Sequence, residues 1–112
     1  MNTKRNRKIA DLIHHEVAML MKKSVSDPRL ASIMITSVDL SPDLGNACIY
    51  YTLPDVSKLD AVKSALKKAS GFVRHQLADR TELRYIPKIK FRYDDSIWRA
   101  EKLFSLMNNV EA

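Results

Sequence analysis

The chain has 112 residues, enough for one ordinary domain and too few for two, so we expect a single domain over residues 1–112. Its hydrophobic fraction of 46% is typical of a folded globular protein, and Cys48, the only cysteine, excludes an intrachain disulfide. With 19 Lys and Arg against 13 Asp and Glu, the formal net charge is +6, a surplus that attracts polyanions such as nucleic acids. No apolar run approaches the roughly 20 residues of a membrane span, so we expect a cytoplasmic protein with no membrane partner.

The positive charge is concentrated in two parts of the chain. Residues 1–30 hold seven basic and three acidic side chains, and residues 63–100 hold ten and four. Residues 31–62, which lie between them, hold one basic and four acidic side chains. Solubility alone does not require such segregation, whereas an electrostatic binding surface does.

The first half of the chain predicts a helix followed by a β-hairpin. Apolar side chains at helical spacing predict an amphipathic helix over 4–23, with Glu16 inside the apolar arc, where it needs a basic or hydrogen-bonding partner. Two runs rich in β-branched and aromatic residues predict strands over 33–40 and 47–53. The turn between them contains Gly45, which we expect to supply a positive φ.

The second half predicts a helix, a strand and a last helix. Gly71 lies inside the helix predicted over about 57–78, where glycine costs about 1 kcal/mol relative to alanine, so a kink or a close backbone approach would explain it. Residues 88–93 alternate between basic and apolar side chains, as in a strand with one exposed face, and Phe91 and Tyr93 are expected in the core. Asp95 or Ser96 is expected to cap the last helix, whose aromatic residues are expected in the core.

Composition and spacing argue against four classes of chemical site. The two glycines lie too far apart for a nucleotide-cradling loop, and no serine or cysteine lies in a nucleophile-elbow context. Asp94 and Asp95 suit helix capping better than acid–base catalysis. We therefore expect no enzyme, no cofactor and no metal site, because none of the possible nitrogen or sulfur ligands has metal-binding spacing: His14, His15, Cys48 and His75.

Basic side chains remain as the candidates for function. Lys4 and Lys22 are 18 residues apart, five helical turns, and so share an azimuth. Lys63, Lys67 and Arg74 fall within about 40° of one another on the second helix. The candidate RNA-binding residues are Lys4, Arg5, Arg7, Lys8, Lys22, Lys23, Arg29, Lys63, Lys67, Arg74, Lys88, Lys90 and Arg92.

Five short segments follow the basic first helix: DPRL at 27–30, VDLSPDL at 38–44, ASGFVR at 69–74, PKIKF at 87–91 and DDS at 94–96. In this order and spacing they resemble the bacterial ribosome-binding factor A family along nearly the whole chain. The resemblance implies an α+β, type II KH-like fold, α-β-β-α-β. An additional C-terminal helix is expected to pack on the three-stranded sheet.

The resemblance also implies a way of binding and a role. A kink at Ala69, Ser70 and Gly71 replaces the GxxG loop of ordinary KH domains, so RNA contact is expected on basic helices and strand faces. The implied role is a non-enzymatic monomer that binds the small (30S) ribosomal subunit and its 16S rRNA. It would assist late maturation and 16S rRNA processing and support growth in the cold, with other maturation factors as candidate partners.

The residues themselves leave two other functions open. One is a KH-like nucleic-acid-binding module that acts outside ribosome assembly. The other is a protein-interaction or dimerisation domain whose basic faces meet an acidic partner.

Overall fold

The computed structural model describes residues 4–23 and 26–110. The element order is the predicted one, and the helices and strands are α1 (Lys4–Lys23), β1 (Met34–Leu40), β2 (Asn46–Thr52), α2 (Leu59–Arg80), β3 (Lys88–Tyr93) and α3 (Ser96–Val110). Short 3₁₀ turns precede β1 and α2. The ends of the predicted domain, residues 1–3 and 111–112, lie outside the described residues.

The three strands form one mixed sheet in the order β1-β2-β3. β1 and β2 pair antiparallel as the predicted hairpin, and β2 pairs parallel with β3 because α2 carries the chain back between them. β3 is therefore an edge strand. This arrangement confirms the predicted α+β class.

One face of the sheet is covered by α1 and α2, and the core lies between these layers. The two helices bury side chains spaced three or four residues apart, which brings them onto one face. Tyr51, 1% exposed, packs edge-on against Tyr93 at 6.0 Å between ring centroids. The other fully buried large side chains are Ile13, Val17, Leu20, Leu30, Ile49, Val62, Leu66, Val73 and Leu77.

Glu16, the one acidic residue in the apolar arc of α1, has its partner on α2. The guanidinium of Arg80 donates from Nε to Glu16 Oε2 at 2.9 Å. The expectation that Glu16 requires a basic partner is thereby confirmed, and the ion pair joins the two helices beside the core.

Gly71 lies in a helix that is continuous from Leu59 to Arg80. A Cβ built at Gly71 would meet nothing within 4 Å, so the expected close backbone approach is wrong. The hydroxyl of Ser70 donates to the Lys67 carbonyl at 3.0 Å, a type of bond that often bends helices. A kink at this motif stays a prediction.

Replacing Gly71 with alanine is expected to raise the free energy of unfolding by about 1 kcal/mol, because the new methyl group has free space and glycine has the poorer helix propensity. Denaturant unfolding of both proteins measures the difference. Gly45→Ala is the contrasting variant, since a Cβ there would lie 3.2 Å from Asp43 Oδ1 and no gain is expected. Destabilisation by Gly71→Ala would show that glycine is required for a bend.

The turn between β1 and β2 differs from the prediction in one respect. The residue with positive φ is Leu44, at 62°, and not Gly45. Asp43 fixes this geometry, because its Oδ1 accepts hydrogen bonds from the Ser41 hydroxyl at 2.6 Å and the Gly45 N–H at 2.9 Å. The same bonds hold the pKa of Asp43 below its usual value.

The last helix does not pack on the sheet, and the prediction that it does is wrong. Every residue from Ser96 to Asn108 is exposed, including Trp98 at 51% and Phe104 at 68%, which were expected in the core. The physical reason lies in the sheet. One face is already covered by α1 and α2, and β3 presents basic side chains on the other face, which interrupt the apolar surface that α3 would have to cover.

Asp94 caps α3, as expected of the Asp94–Asp95 pair, and it also contacts β1. Its carboxylate accepts the Ser96 N–H at 3.0 Å and the Thr36 hydroxyl at 2.7 Å. These bonds, with those from Ser96 contributing most, lower the pKa of Asp94 from its ordinary value of 3.8. A lowered pKa stabilises the folded state above the ordinary value, and this contribution is lost as the pH falls through the folded-state pKa.

We expect Asp94→Asn to unfold at a lower denaturant concentration than the parent chain at pH 7. The difference should narrow as the pH falls below 3.8, because the parent carboxylate then becomes protonated too. Unfolding curves at a series of pH values measure this. Asp95→Asn is the control, since Asp95 makes only an exposed ion pair with Arg99, and a pH-independent gap for Asp94→Asn would contradict the assignment.

Candidate nucleic-acid interface

All thirteen basic residues proposed from the sequence are exposed. Within residues 4–23 and 26–110, only one of them, Arg29, forms an ion pair with a carboxylate. Its guanidinium lies 2.6 Å from Asp27 and holds the pKa of that carboxyl at about 2. The charge of Arg29 is therefore compensated within the chain, and the charges of the other twelve remain available to an external anion.

Four of these residues converge on a groove between α2 and β3, which we call the α2–β3 groove. Its volume is about 560 Å³. Lys63 and Lys67 of α2 line one side, and Lys90 and Arg92 of β3 line the other. Among the described residues no carboxylate lines it, and the remaining lining residues are Tyr51, Leu66, Ser70, Ile89, Phe91 and Tyr93.

The local sequence explains this distribution of charge and apolar surface. Lys63 and Lys67 are four residues apart, so they lie one turn from each other on one side of α2, beside the buried Leu66. On β3, basic and apolar residues alternate, which turns Lys90 outward while Phe91 faces the helical layer. The groove therefore has a basic rim and an apolar, partly aromatic interior.

Two residues grouped with these from the sequence do not line the groove. Arg74 donates from Nη2 to the Ile86 carbonyl at 3.2 Å and so contacts the segment before β3. Lys88 lies on the sheet face that no helix covers, beside its register partner Asn46, and is not among the residues that line the groove. Lys88 thus belongs to the open face of the sheet.

The six candidates on α1 are also separate from the groove. Lys4 and Lys22 share an azimuth as predicted, but at 1.5 Å per residue they lie roughly 27 Å apart along the helix axis. The four residues Lys4, Arg5, Arg7 and Lys8 lie in its first turns, and Lys22 and Lys23 in its last turn. None of them lines the α2–β3 groove.

The aromatic lining of the groove was not identified as functional from the sequence. Phe91 and Tyr93 were assigned to the core, and they do pack against it while also facing the groove. Of the tyrosine pair on β2, Tyr51 is buried and Tyr50 is half-buried on the open face. The signal that could have revealed the groove is the alternation of basic and aromatic residues along one strand.

The residues of the expected kink motif take different positions. Ala69 packs against the core, Ser70 lines the groove and Gly71 is exposed.

Across the described ranges, no three His, Cys, Asp or Glu side chains cluster as a metal site would require. None of the helices described is both long and apolar enough for a membrane span.

Comparison with known proteins identifies the family. The model of the family described as "Ribosome-binding factor A" matches residues 5–107. The chain belongs to the ribosome-binding factor A family. A ribosome-binding factor A from Coxiella burnetii (strain RSA 493 / Nine Mile phase I) is 46% identical over 108 residues, which cover 96% of this chain and 91% of the relative. One from Chromohalobacter salexigens is 39% identical, covering 97% and 86%.

Solved structures of ribosome-binding factor A have the same fold. The solution structure of a protein from Thermotoga maritima, described as a putative ribosome-binding factor A, superposes with a TM-score of 0.71 at 26% identity, covering 86% of this chain and 93% of that one. A homology model of Thermus thermophilus ribosome-binding factor A, fitted into a cryo-EM map of its 30S complex, superposes with a TM-score of 0.64 at 22% identity, covering 77% of this chain and 91% of that one. The KH-like order expected of the family is thus confirmed.

Proposed function

We propose that the chain binds the small ribosomal subunit through 16S rRNA and acts there as a non-enzymatic maturation factor. The observation that carries this proposal is the α2–β3 groove, with four exposed cations that have no carboxylate partner among the described residues. Membership of the ribosome-binding factor A family and the 30S complex of the Thermus thermophilus relative support it.

The groove has the two properties that bind single-stranded RNA. Its lysines and arginine can neutralise phosphates, which releases condensed counterions and supplies affinity without reading sequence. Its aromatic interior offers surfaces on which bases can stack. The twelve uncompensated cations are spread over α1, α2 and the open sheet face as well, so further phosphate contacts can orient the chain on folded rRNA.

Binding alone can perform the proposed maturation role. A factor that binds one arrangement of rRNA helices better than another shifts the population toward that arrangement by its difference in affinity. Incorrect RNA pairings persist longer at low temperature, and we therefore also propose that the factor supports late maturation, 16S rRNA processing and growth in the cold. We propose a cytoplasmic monomer, with other maturation factors as further partners.

A salt gradient tests whether phosphate contacts supply the affinity. Binding to precursor small subunits should fall with salt at a log–log slope of about −3 or steeper, because four phosphate contacts from the groove give about −3 and further contacts add to it. Sedimentation of the complex across a range of salt concentrations measures it. A flat response would contradict the proposal, and equal binding to large subunits or free oligonucleotides would favour a general nucleic-acid-binding module.

A further inference from the structure

The hydrogen bonds at the two ends of β3 determine which way its backbone groups point. The Lys88 N–H donates to the Gly45 carbonyl at 2.9 Å, and the Asp94 N–H donates to the Tyr51 carbonyl at 2.7 Å. In a parallel ladder, alternate residues direct both N–H and C=O toward the same neighbouring strand. The even-numbered residues of β3 therefore face β2.

The odd-numbered residues Ile89, Phe91 and Tyr93 consequently direct their backbone N–H and C=O away from β2. They point outward from the open edge of the sheet, because β3 is its outermost strand among the described residues. These groups recur about every 6.6 Å, the spacing of two residues in a strand. The side chains of the same three residues line the α2–β3 groove, so the unpaired edge and the groove are adjacent.

We propose that the α2–β3 groove binds an extended acidic segment of a partner protein, which adds to the sheet as a fourth strand along β3. The segment would pair with the outward backbone groups of Ile89, Phe91 and Tyr93, and its carboxylates would meet the cations of the rim. Because the proposed RNA site is the same groove, the segment displaces RNA there. This regulatory part of the proposal rests on the proposed function.

The chemistry of the edge distinguishes an acidic peptide from the other possible occupants. A second copy of β3 would bring Lys88, Lys90 and Arg92 of both strands together, and like charges on neighbouring strands are destabilising. Basic residues along an edge also discourage pairing with apolar strands. RNA phosphates satisfy the cations alone, whereas an acidic strand satisfies both the cations and the alternating backbone donors and acceptors.

Amide hydrogen exchange followed by NMR tests the pairing without any substitution in β3. The probe is a synthetic ten-residue peptide of alternating glutamate and valine, added to the full chain. We expect the amides of Ile89, Phe91 and Tyr93 to exchange at least about tenfold more slowly, while those of Lys90 and Arg92 are protected already. A peptide N-methylated at every residue, or one with lysine in place of glutamate, should give no protection.

Paired variants separate the groove from general attraction. Lys63→Glu with Lys67→Glu should weaken binding of the acidic peptide about tenfold or more, whereas Lys58→Glu with Lys68→Glu, equal in charge and exposed outside the groove, should leave it nearly unchanged. A parallel titration with an eight-nucleotide single-stranded RNA tests the proposed function separately. Failure of the acidic peptide to protect the odd-numbered amides overturns the inference, whatever the RNA does. If the peptide protects these amides while the RNA stays bound, the proposed displacement of RNA is overturned.

Discussion

Replacing Lys63, Lys67 and Lys90 together with glutamate is expected to lower the affinity for small ribosomal subunits at least about a hundredfold. Each lysine loses a charge-assisted contact to phosphate and gains a repulsive carboxylate, and contacts of this kind contribute on the order of 1 kcal/mol or more each. The fold should survive, because all three side chains are exposed and have no ion pair within the described chain.

The matched control replaces three other exposed lysines, Lys58, Lys68 and Lys102, with glutamate. Both triple variants change the net charge equally, but the control residues lie outside the α2–β3 groove. Co-sedimentation with precursor subunits measures both affinities, and circular dichroism checks the fold. An equal loss of affinity in both variants would show that diffuse electrostatic attraction holds the chain on the subunit and that the groove has no special role.

Replacing Ile49 with alanine is expected to lower the free energy of unfolding by about 3 kcal/mol or more. Ile49 is fully buried in the central strand, and Ile→Ala at such sites removes apolar contacts and leaves a cavity, with a typical cost of 2–5 kcal/mol. For a domain of this size, that corresponds to a fall in Tm of roughly 12 °C or more. Thermal and denaturant unfolding measure both quantities.

Ile97→Ala is the matched control, because it makes the same chemical change on α3, where the side chain is 57% exposed. We expect a change within about 0.5 kcal/mol, as is usual for surface substitutions. A cost similar to that of Ile49→Ala would mean that α3 packs against the body of the protein in solution. The pair of variants therefore tests both the core and the position of α3.

Elements with an unbroken pattern could be predicted from the sequence. The bounds of α1 and β3 agree with those expected, since each has a continuous periodicity of one kind. The position of α3 could not be predicted, because periodicity shows that a helix has an apolar face without showing what covers it. The positive φ of Leu44 likewise depends on hydrogen bonds within the turn that glycine content does not reveal.

The candidate site was predictable as a set of residues but not as an arrangement. Exposure of the basic residues follows from their positions on helix and strand faces. The convergence of Lys63 and Lys67 with Lys90 depends on the parallel pairing of β2 and β3 across α2, a long-range feature. Compensation of Arg29 by Asp27 and the contact of Arg74 with Ile86 are side-chain details that a helical wheel does not contain.

Ultraviolet crosslinking of the chain bound to precursor small subunits, with mass spectrometry of the crosslinked peptides, would test the RNA-binding groove most directly. We expect 16S rRNA to crosslink to the segments 63–70 and 88–93, where aromatic and basic side chains line the groove together. Crosslinks confined to α3, with none in either segment, would contradict the proposal that rRNA is bound between α2 and β3.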